Sequence, residues 1–221
     1  MTEPVILAVD LGTSGMKVAL ITVSGKVLGW EAEPLKLMLT PDGGVEQSPD
    51  EWWAAFLSAS KRLIGNNQAS ASLIRAVCCS TQGEGTIPVD KDGNALGNCI
   101  LWMDMRGASH LKKQLSGLIN IDGADVFKVL RFVSLTGGMP NLAGKDPAGH
   151  MLFIRATMPE IYSKTHKFLN VLDYLNLRLT GEFVASFDSI VTSWVTDNRD
   201  PNELRYNDGL ISILGIDRTK L

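Results

Sequence analysis

Asp10-Leu-Gly-Thr-Ser-Gly-Met-Lys17 brings a carboxylate, two glycines, two hydroxyls and a cation into one short stretch. Gly12 and Gly15 carry no Cβ, which lets a backbone reach positive φ and approach a ligand closely. Successive N–H groups in such a turn make an anion-binding concavity, and the Thr13 and Ser14 hydroxyls add donors beside it. Lys17 supplies a compact positive charge of the kind that binds phosphate. Asp10 would repel a bare phosphate. It fits if it holds a hydrated Mg2+, which keeps several waters and takes few protein carboxylates. The set therefore suits a polyphosphate with its magnesium ion. A plainer reading stays open: a hairpin closed by a glycine-rich turn, with Asp10 bonding the turn's own backbone.

A second group lies further along. Ser80-Thr-Gln-Gly-Glu-Gly85 follows an apolar run, and ligands of α/β sheets collect at the carboxyl ends of strands. Gln82 and Glu84, on either side of Gly83, alternate as on a strand, so both are expected to face one cleft. An amide offers a donor and an acceptor, and a carboxylate accepts hydroxyl protons; a polyol needs both. In Trp102-Met-Asp-Met-Arg106, Trp102 offers an apolar platform with an N–H at its edge. Asp104 can accept hydroxyl protons, and Arg106 either holds Asp104 in place or meets the substrate. The structural alternatives are a solvated turn at 80–85, a core tryptophan, and Asp104 as a helix N-cap. Trp52 and Trp53, in the first turn of a helix, read as packing residues. His110, His150 and His166 are too dispersed for a metal site or triad.

The elements that must position these groups follow from the pattern. Val5–Leu11, Lys17–Thr22 and Lys26–Glu33 read as strands joined by tight turns. Ser48-Pro-Asp-Glu51 opens a helix with Ser at the N-cap, Pro at N1 and Glu at N3, running to about Ile64. Leu73–Cys79 and Thr86–Val89 read as strands, Asp90–Asn94 as a turn, and a helix is expected to start near Arg106. The stretch Asp122–Gly149 shows weak periodicity and many Gly and Pro residues. Asp146–Thr157 and Asn170–Leu179 are helix candidates, the second stopped by Thr180-Gly181. The order predicts an α/β fold.

Asp10–Lys17 resembles the first phosphate motif of the superfamily of actin, heat-shock chaperones and sugar kinases. Within it, Glu46-Gln-Ser-Pro-Asp-Glu-Trp-Trp53, Ser80–Gly85 with Leu101–Arg106, and Leu172–Glu182 are similar to motifs of the FGGY carbohydrate kinases, in order and near-family spacing. The likeness runs from Val5 to about Asp200. It implies a ribonuclease-H-like layer: a mixed five-stranded sheet flanked by helices, with a sugar-site insertion. It implies ATP and Mg2+ as cofactors: Asp10 as metal ligand and catalytic support, Gly12, Thr13, Ser14 and Lys17 at the phosphates. Gln82, Gly83, Glu84, Trp102, Asp104 and Arg106 would then bind a sugar or polyol. Glycerol-kinase relatives read Gln-Arg-Glu at positions 82–84, and xylulokinase relatives Gln-Met-His, so Gly83 leaves the sugar unnamed.

The family's general base is an aspartate directly after a glycine-rich run. Gly137-Gly138 leads into Met139-Pro140-Asn141 and supplies none. The resemblance thus implies that residues 1–221 are an N-terminal kinase domain without its C-terminal partner, inactive alone. A non-catalytic carbohydrate-binding or nucleotide-dependent regulatory module is the alternative. Relatives also point to a homodimer.

The 221 residues carry a net charge of −3, with 45% hydrophobic and 20% charged residues. That balance is ordinary for a globular protein and gives no footprint for nucleic acid or an anionic membrane. There is no basic n-region and no apolar run long enough to span a bilayer, so a cytoplasmic protein is expected. Cys78, Cys79 and Cys99 show no CxxC spacing, so buried, reduced thiols are expected.

Overall fold

The computed structural model describes residues 3–221, apart from the side chains of Gln68 and Ala69. It forms two compact units, one of residues 1–37 and 47–83, the other of residues 38–46 and 84–221.

In the first unit, β1 (Val5–Leu11), β2 (Gly15–Thr22) and β3 (Val27–Pro34) form successive antiparallel hairpins, and β6 (Ile74–Thr81) lies parallel to β1. The sheet order is β3-β2-β1-β6. Alternate residues of β1 and β2, among them Leu7, Val9, Leu11, Val18 and Leu20, are buried. They pack with the helix α1 (Pro49–Asn66), which buries Trp52, Ala55, Phe56, Ala59 and Leu63, one stripe at helical spacing. Ser48 caps α1 by accepting the Glu51 N–H at 3.3 Å, and Pro49 stands at N1, as the sequence predicts. The mixed sheet flanked by a helix bears out the expected fold class, but it has four strands, not five. The segment Thr86–Val89 belongs instead to β7 (Gly85–Val89) in the second unit, where all its residues are buried. A strand buried along its whole length looks the same in sequence whichever sheet takes it.

In the second unit a sheet runs from the strand Lys167–Leu169 through β7 and β8 (Cys99–Leu101) to β5 (Val45–Gln47) and β4 (Met38–Leu39). Its core gathers Ile100, Leu111, Phe132, Met151, Leu152, Ile154, Val195 and Leu210. Helices span Ala108–Leu115, Pro147–Thr157 and Val171–Thr180, close to the expected positions. A helix at Val126–Thr136 was not expected. Apart from Gly123 ahead of it, the Gly and Pro residues that hid it begin at Gly137, which ends it at φ +83°. Apolar residues on both its faces blur the period. Asp122 and Gly123, at φ +52° and +93°, close a small hairpin just before it, a turn that Asp-Gly favours.

The cysteines are free, but only Cys99 is buried; Cys79 is intermediate and Cys78 is exposed on β6, against the expectation of buried thiols. No helix among the described residues is long and apolar enough to cross a membrane.

Candidate functional site

In the first unit the site is the mouth of the β1–β2 hairpin. The antiparallel register sets Asp10 opposite Lys17, and the Lys17 ammonium donates to Asp10 Oδ2 at 3.0 Å. Both side chains are about half exposed, at 50% and 53%. The turn closes through Gly12 N–H donating to Gly15 O at 3.0 Å. Neither glycine has positive φ, which corrects the expectation. Gly15 answers to a close approach: a Cβ there would lie 2.8 Å from the Glu33 carbonyl oxygen of β3. At Gly12 the nearest atoms would be 3.5 Å away, one of them Lys17 Nζ.

Thr13 is anchored. Its hydroxyl donates to Gln82 Oε1 at 2.8 Å, and its carbonyl accepts from Gln47 Nε2 at 2.8 Å. Gln82 donates in turn from Nε2 to Gln47 Oε1 at 2.9 Å, and from its backbone N–H to Leu11 O at 2.6 Å. Trp52 Nε1 also donates to Gln47 Oε1. Gln47 is 1% exposed, and its amide ties the turn, β6's end and α1 together. Sequence reasoning missed it. The signal was a polar residue at the position before an N-cap, where an apolar staple is usual. Ser14 stays exposed.

Asp10 and Lys17 fit the proposed ligand chemistry. One carboxylate is enough for a magnesium ion that keeps most of its waters, and the adjacent ammonium can meet phosphate oxygens. No cluster of three or more His, Cys, Asp or Glu side chains suited to a metal occurs among the described residues.

The expectation that Gln82 and Glu84 share a face is not met. β6 ends at Thr81 and β7 begins at Gly85, so residues 82–84 are not strand and do not alternate. The two units divide between Gly83 and Glu84.

In the second unit, Glu84 and Thr86 meet the helix Pro147–Thr157 in step. The Asp146 charge at the start of that helix acts on Glu84, and Thr86 bonds His150 Nδ1 at 3.0 Å. Residues 146 and 150 are one turn apart and face the same way. His150 Nε2 lies 3.3 Å from the Asp104 carbonyl oxygen. A carbonyl only accepts, so Nε2 carries the proton and the Thr86 hydroxyl donates to Nδ1. Burial pushes His150 down to about 4, so it is neutral. Burial, then the Asp146 charge, push Glu84 up to about 7.

Asp104 is fully buried and is not a helix cap; the following helix starts at Ala108. Its Oδ2 accepts from the Val45 N–H at 2.9 Å and from Arg106 Nη2 at 2.7 Å. Arg106 Nη2 also reaches Glu46 Oε1 at 2.6 Å, and Nη1 reaches Asp42 at 3.2 Å. With 8% of its side chain exposed, Arg106 holds Asp104 in place, the first of the two roles expected of it. This pair is closed to a ligand and acts by fixing the loop. Trp102 on that loop is 42% exposed. Asp173, in the Leu172–Glu182 motif, is buried and accepts from Ser189 Oγ at 2.5 Å, a structural role.

Residues 5–221 match the N-terminal domain of the FGGY family of carbohydrate kinases. The chain belongs to that family. It is 32% identical to the xylulose kinase of Escherichia coli over 192 residues, 86% of this chain and 36% of that protein. It is 26% identical to the erythritol kinase of Brucella abortus over 216 residues, 98% of this chain and 39% of that protein. Among solved structures, a xyloylose kinase from Brucella ovis superposes with a TM-score of 0.82 at 24% identity, covering 97% of this chain and 41% of that one. Plasmodium falciparum glycerol kinase with ADP gives a TM-score of 0.80 at 20% identity, covering 99% and 42%. These likenesses show the shared fold. The carbohydrate-kinase chain described here spans about a third of the length of its curated relatives.

Proposed function

We propose that residues 1–221 are the N-terminal part of a cytoplasmic kinase that transfers the γ-phosphoryl group of ATP to a hydroxyl of a sugar or polyol, in the class of the xylulose and erythritol kinases it resembles. The observation that carries the reading is the Asp10–Lys17 pair at the mouth of the β1–β2 hairpin, in a chain of this family. Phosphoryl transfer depends on charge placed around the phosphates and on a base near the attacking oxygen. Asp10 would hold the magnesium ion, which neutralises charge on the phosphates. Lys17, Ser14 and the turn through Gly12 and Thr13 would orient them.

Glu84 and Trp102 would receive the polyol. Gln82 is engaged by Thr13 and Gln47, so its part in this reading is to hold the phosphate turn. Asp104 and Arg106 support the Trp102 loop. The general base and the adenosine contacts would be supplied by a further domain.

A coupled assay of ADP release by the full-length enzyme over pentuloses, hexuloses, polyols and gluconate tests this. Turnover of at least one is expected, and none across the panel would refute the kinase reading. The 221-residue chain alone is expected to be inactive, and sugar phosphorylation by it would place the base within these residues. Light scattering of the same samples reports whether the enzyme is a homodimer.

A further inference from the structure

Thr13, Gln82 and Gln47 close a ring of hydrogen bonds beside the phosphate turn, all within the first unit. The Thr13 hydroxyl lies 2.8 Å from Gln82 Oε1, Gln82 Nε2 lies 2.9 Å from Gln47 Oε1, and Gln47 Nε2 lies 2.8 Å from the Thr13 carbonyl oxygen. The two ends of an amide are told apart by their partners, and at Gln47 the partners agree. Trp52 Nε1, which only donates, reaches Gln47 Oε1 at 3.2 Å. The Lys36 carbonyl, which only accepts, takes a second bond from Gln47 Nε2 at 3.2 Å. Gln47 thus makes four bonds, the full complement of an amide, and its orientation is fixed from both ends.

The consequence passes round the ring. Gln47 turns its oxygen to Gln82, so the Gln82 end that faces it is the NH2. The other end, Oε1, faces Thr13 and can only accept. The Thr13 proton is therefore committed to Gln82. The reverse polarity would set Gln47 Oε1 against the Thr13 and Lys36 carbonyl oxygens, and its NH2 against the indole N–H. Gln47 and Trp52 are both 1% exposed, so water does not relieve such mismatches.

A hydroxyl whose proton is committed meets other groups only as an acceptor. Phosphate oxygens are acceptors too. The Thr13 side chain is matched instead to the donors of a hydrated cation, since Mg2+ keeps several waters and these donate outward. Asp10, three residues earlier, is likewise an acceptor when ionised. Ser14 is exposed and stands outside the ring, so its hydroxyl and the Lys17 ammonium are the side-chain donors left for phosphate.

We propose that Gln47, its sense fixed by Trp52, is a positioning residue of the phosphate turn: it holds the Thr13 hydroxyl as an acceptor for the water shell of the magnesium ion, so that this side chain recognises the metal and not the phosphates. This reverses the donor role that the sequence suggests for Thr13. The identity of the ligand rests on the kinase reading; the polarity of the ring does not.

The test has two arms. In NMR of the 221-residue chain, the Thr13 hydroxyl proton should exchange slowly and show a nuclear Overhauser contact to the Gln82 side chain. Gln47→Leu should speed that exchange. A fast-exchanging hydroxyl, or one unaffected by Gln47→Leu, overturns the proposal whatever the enzyme binds. In the full-length enzyme, calorimetry with a non-hydrolysable ATP analogue, once with Mg2+ and once with EDTA, reads the metal apart from the phosphates. Thr13→Val should weaken binding of the magnesium complex by about three- to tenfold and of the metal-free analogue by less than about twofold. Gln47→Leu releases the Thr13 hydroxyl to donate, so it should lower the preference for the magnesium complex in the same direction. Equal weakening of both forms by Thr13→Val overturns the proposal, because a donor to phosphate is lost whichever form binds; so does no weakening of either. Thr13 is only half-buried, so Thr13→Val decides the matter even where Gln47→Leu fails to fold. No binding of the analogue in either condition, with the ring intact by NMR, refutes the kinase reading and with it the metal role of Thr13, and leaves the ring as scaffold.

Discussion

The Asp10–Lys17 pair and the Asp104–Arg106 pair are both short ion pairs, at 3.0 and 2.7 Å, but they stand in opposite surroundings. The first is half open to solvent at the end of a hairpin. The second is sealed, with Asp104 fully buried and Arg106 nearly so, and it draws in Glu46 and Asp42. An exposed pair contributes little to stability, since water screens it and its side chains lose freedom to form it. A sealed pair carries a large desolvation penalty that only its partners offset, so removing one partner leaves an uncompensated charge. The difference separates groups available to a ligand from groups that hold the scaffold.

The largest expected effect comes from breaking the sealed network. Arg106→Ala strands Asp104 and Glu46 and also removes the guanidinium packed 4.6 Å from the Phe153 ring centroid. The variant should lose about 3–5 kcal/mol of stability, read by chemical denaturation. A loss no larger than that of an exposed pair would mean that water reaches Asp104, and Asp104 would again be a candidate to meet substrate.

The open pair should behave in the reverse manner. Asp10→Ala should leave the denaturation midpoint nearly unchanged, because both side chains are half exposed. In the full-length enzyme it should lower kcat by about a thousandfold, the effect of several kcal/mol of lost metal-assisted charge stabilisation. Near-normal turnover would remove Asp10 from the proposed metal site. Activity and stability thus trade places between the two pairs, and a variant that moved both together would dissolve the distinction.

The same contrast explains what could be read from the sequence. Asp10, Lys17 and the turn between them are contiguous, and the register that pairs them follows from one hairpin, so residue spacing alone places them. The Ser48 cap and the α1 stripe are local in the same sense. The second unit's chemistry comes from distant segments: Thr86 meets His150, and Arg106 meets Asp42 and Glu46. Local rules have no access to such pairings. Asp146 opens the helix candidate Asp146–Thr157, and nothing in the helical pattern shows that its carboxylate accepts the Asn141 N–H instead of capping the helix. Alternation across Gln82 and Glu84 misled because it assumes a strand where the chain passes from one unit to the other.

Gln47 sharpens the comparison from within the first unit. It is as buried as Asp104 but neutral, and it serves a site that is open. Gln47→Ala leaves the Gln82 amide and the Thr13 carbonyl each short of a partner and should destabilise the chain by about 1–3 kcal/mol, less than Arg106→Ala. It should also raise KM for ATP in the full-length enzyme, since Thr13 loses one of its anchors. Full stability with an unchanged KM would show that the turn holds its shape without the amide.

The smallest effects distinguish two explanations of the glycines in the phosphate turn. If positive φ were the reason for them, alanine at Gly12 and at Gly15 would be similarly harmful. The backbone instead has negative-φ geometry available at both, and the two differ in what a Cβ would meet. At Gly15 the added carbon would sit 2.8 Å from the Glu33 carbonyl oxygen. That oxygen belongs to a paired strand and cannot swing aside, so Gly15→Ala should force β2 and β3 apart and cost about 1–3 kcal/mol. At Gly12 the nearest neighbours would be 3.5 Å away, ordinary contact, and Lys17 is the far end of a flexible side chain. Gly12→Ala should therefore shift stability by no more than about 0.5 kcal/mol. Its effect should appear in nucleotide affinity, because a methyl group at the mouth of the hairpin stands where phosphate oxygens would approach. Equal destabilisation by the two substitutions would restore the conformational explanation, while a silent Gly12→Ala in both stability and KM for ATP would move the phosphates away from that side of the turn.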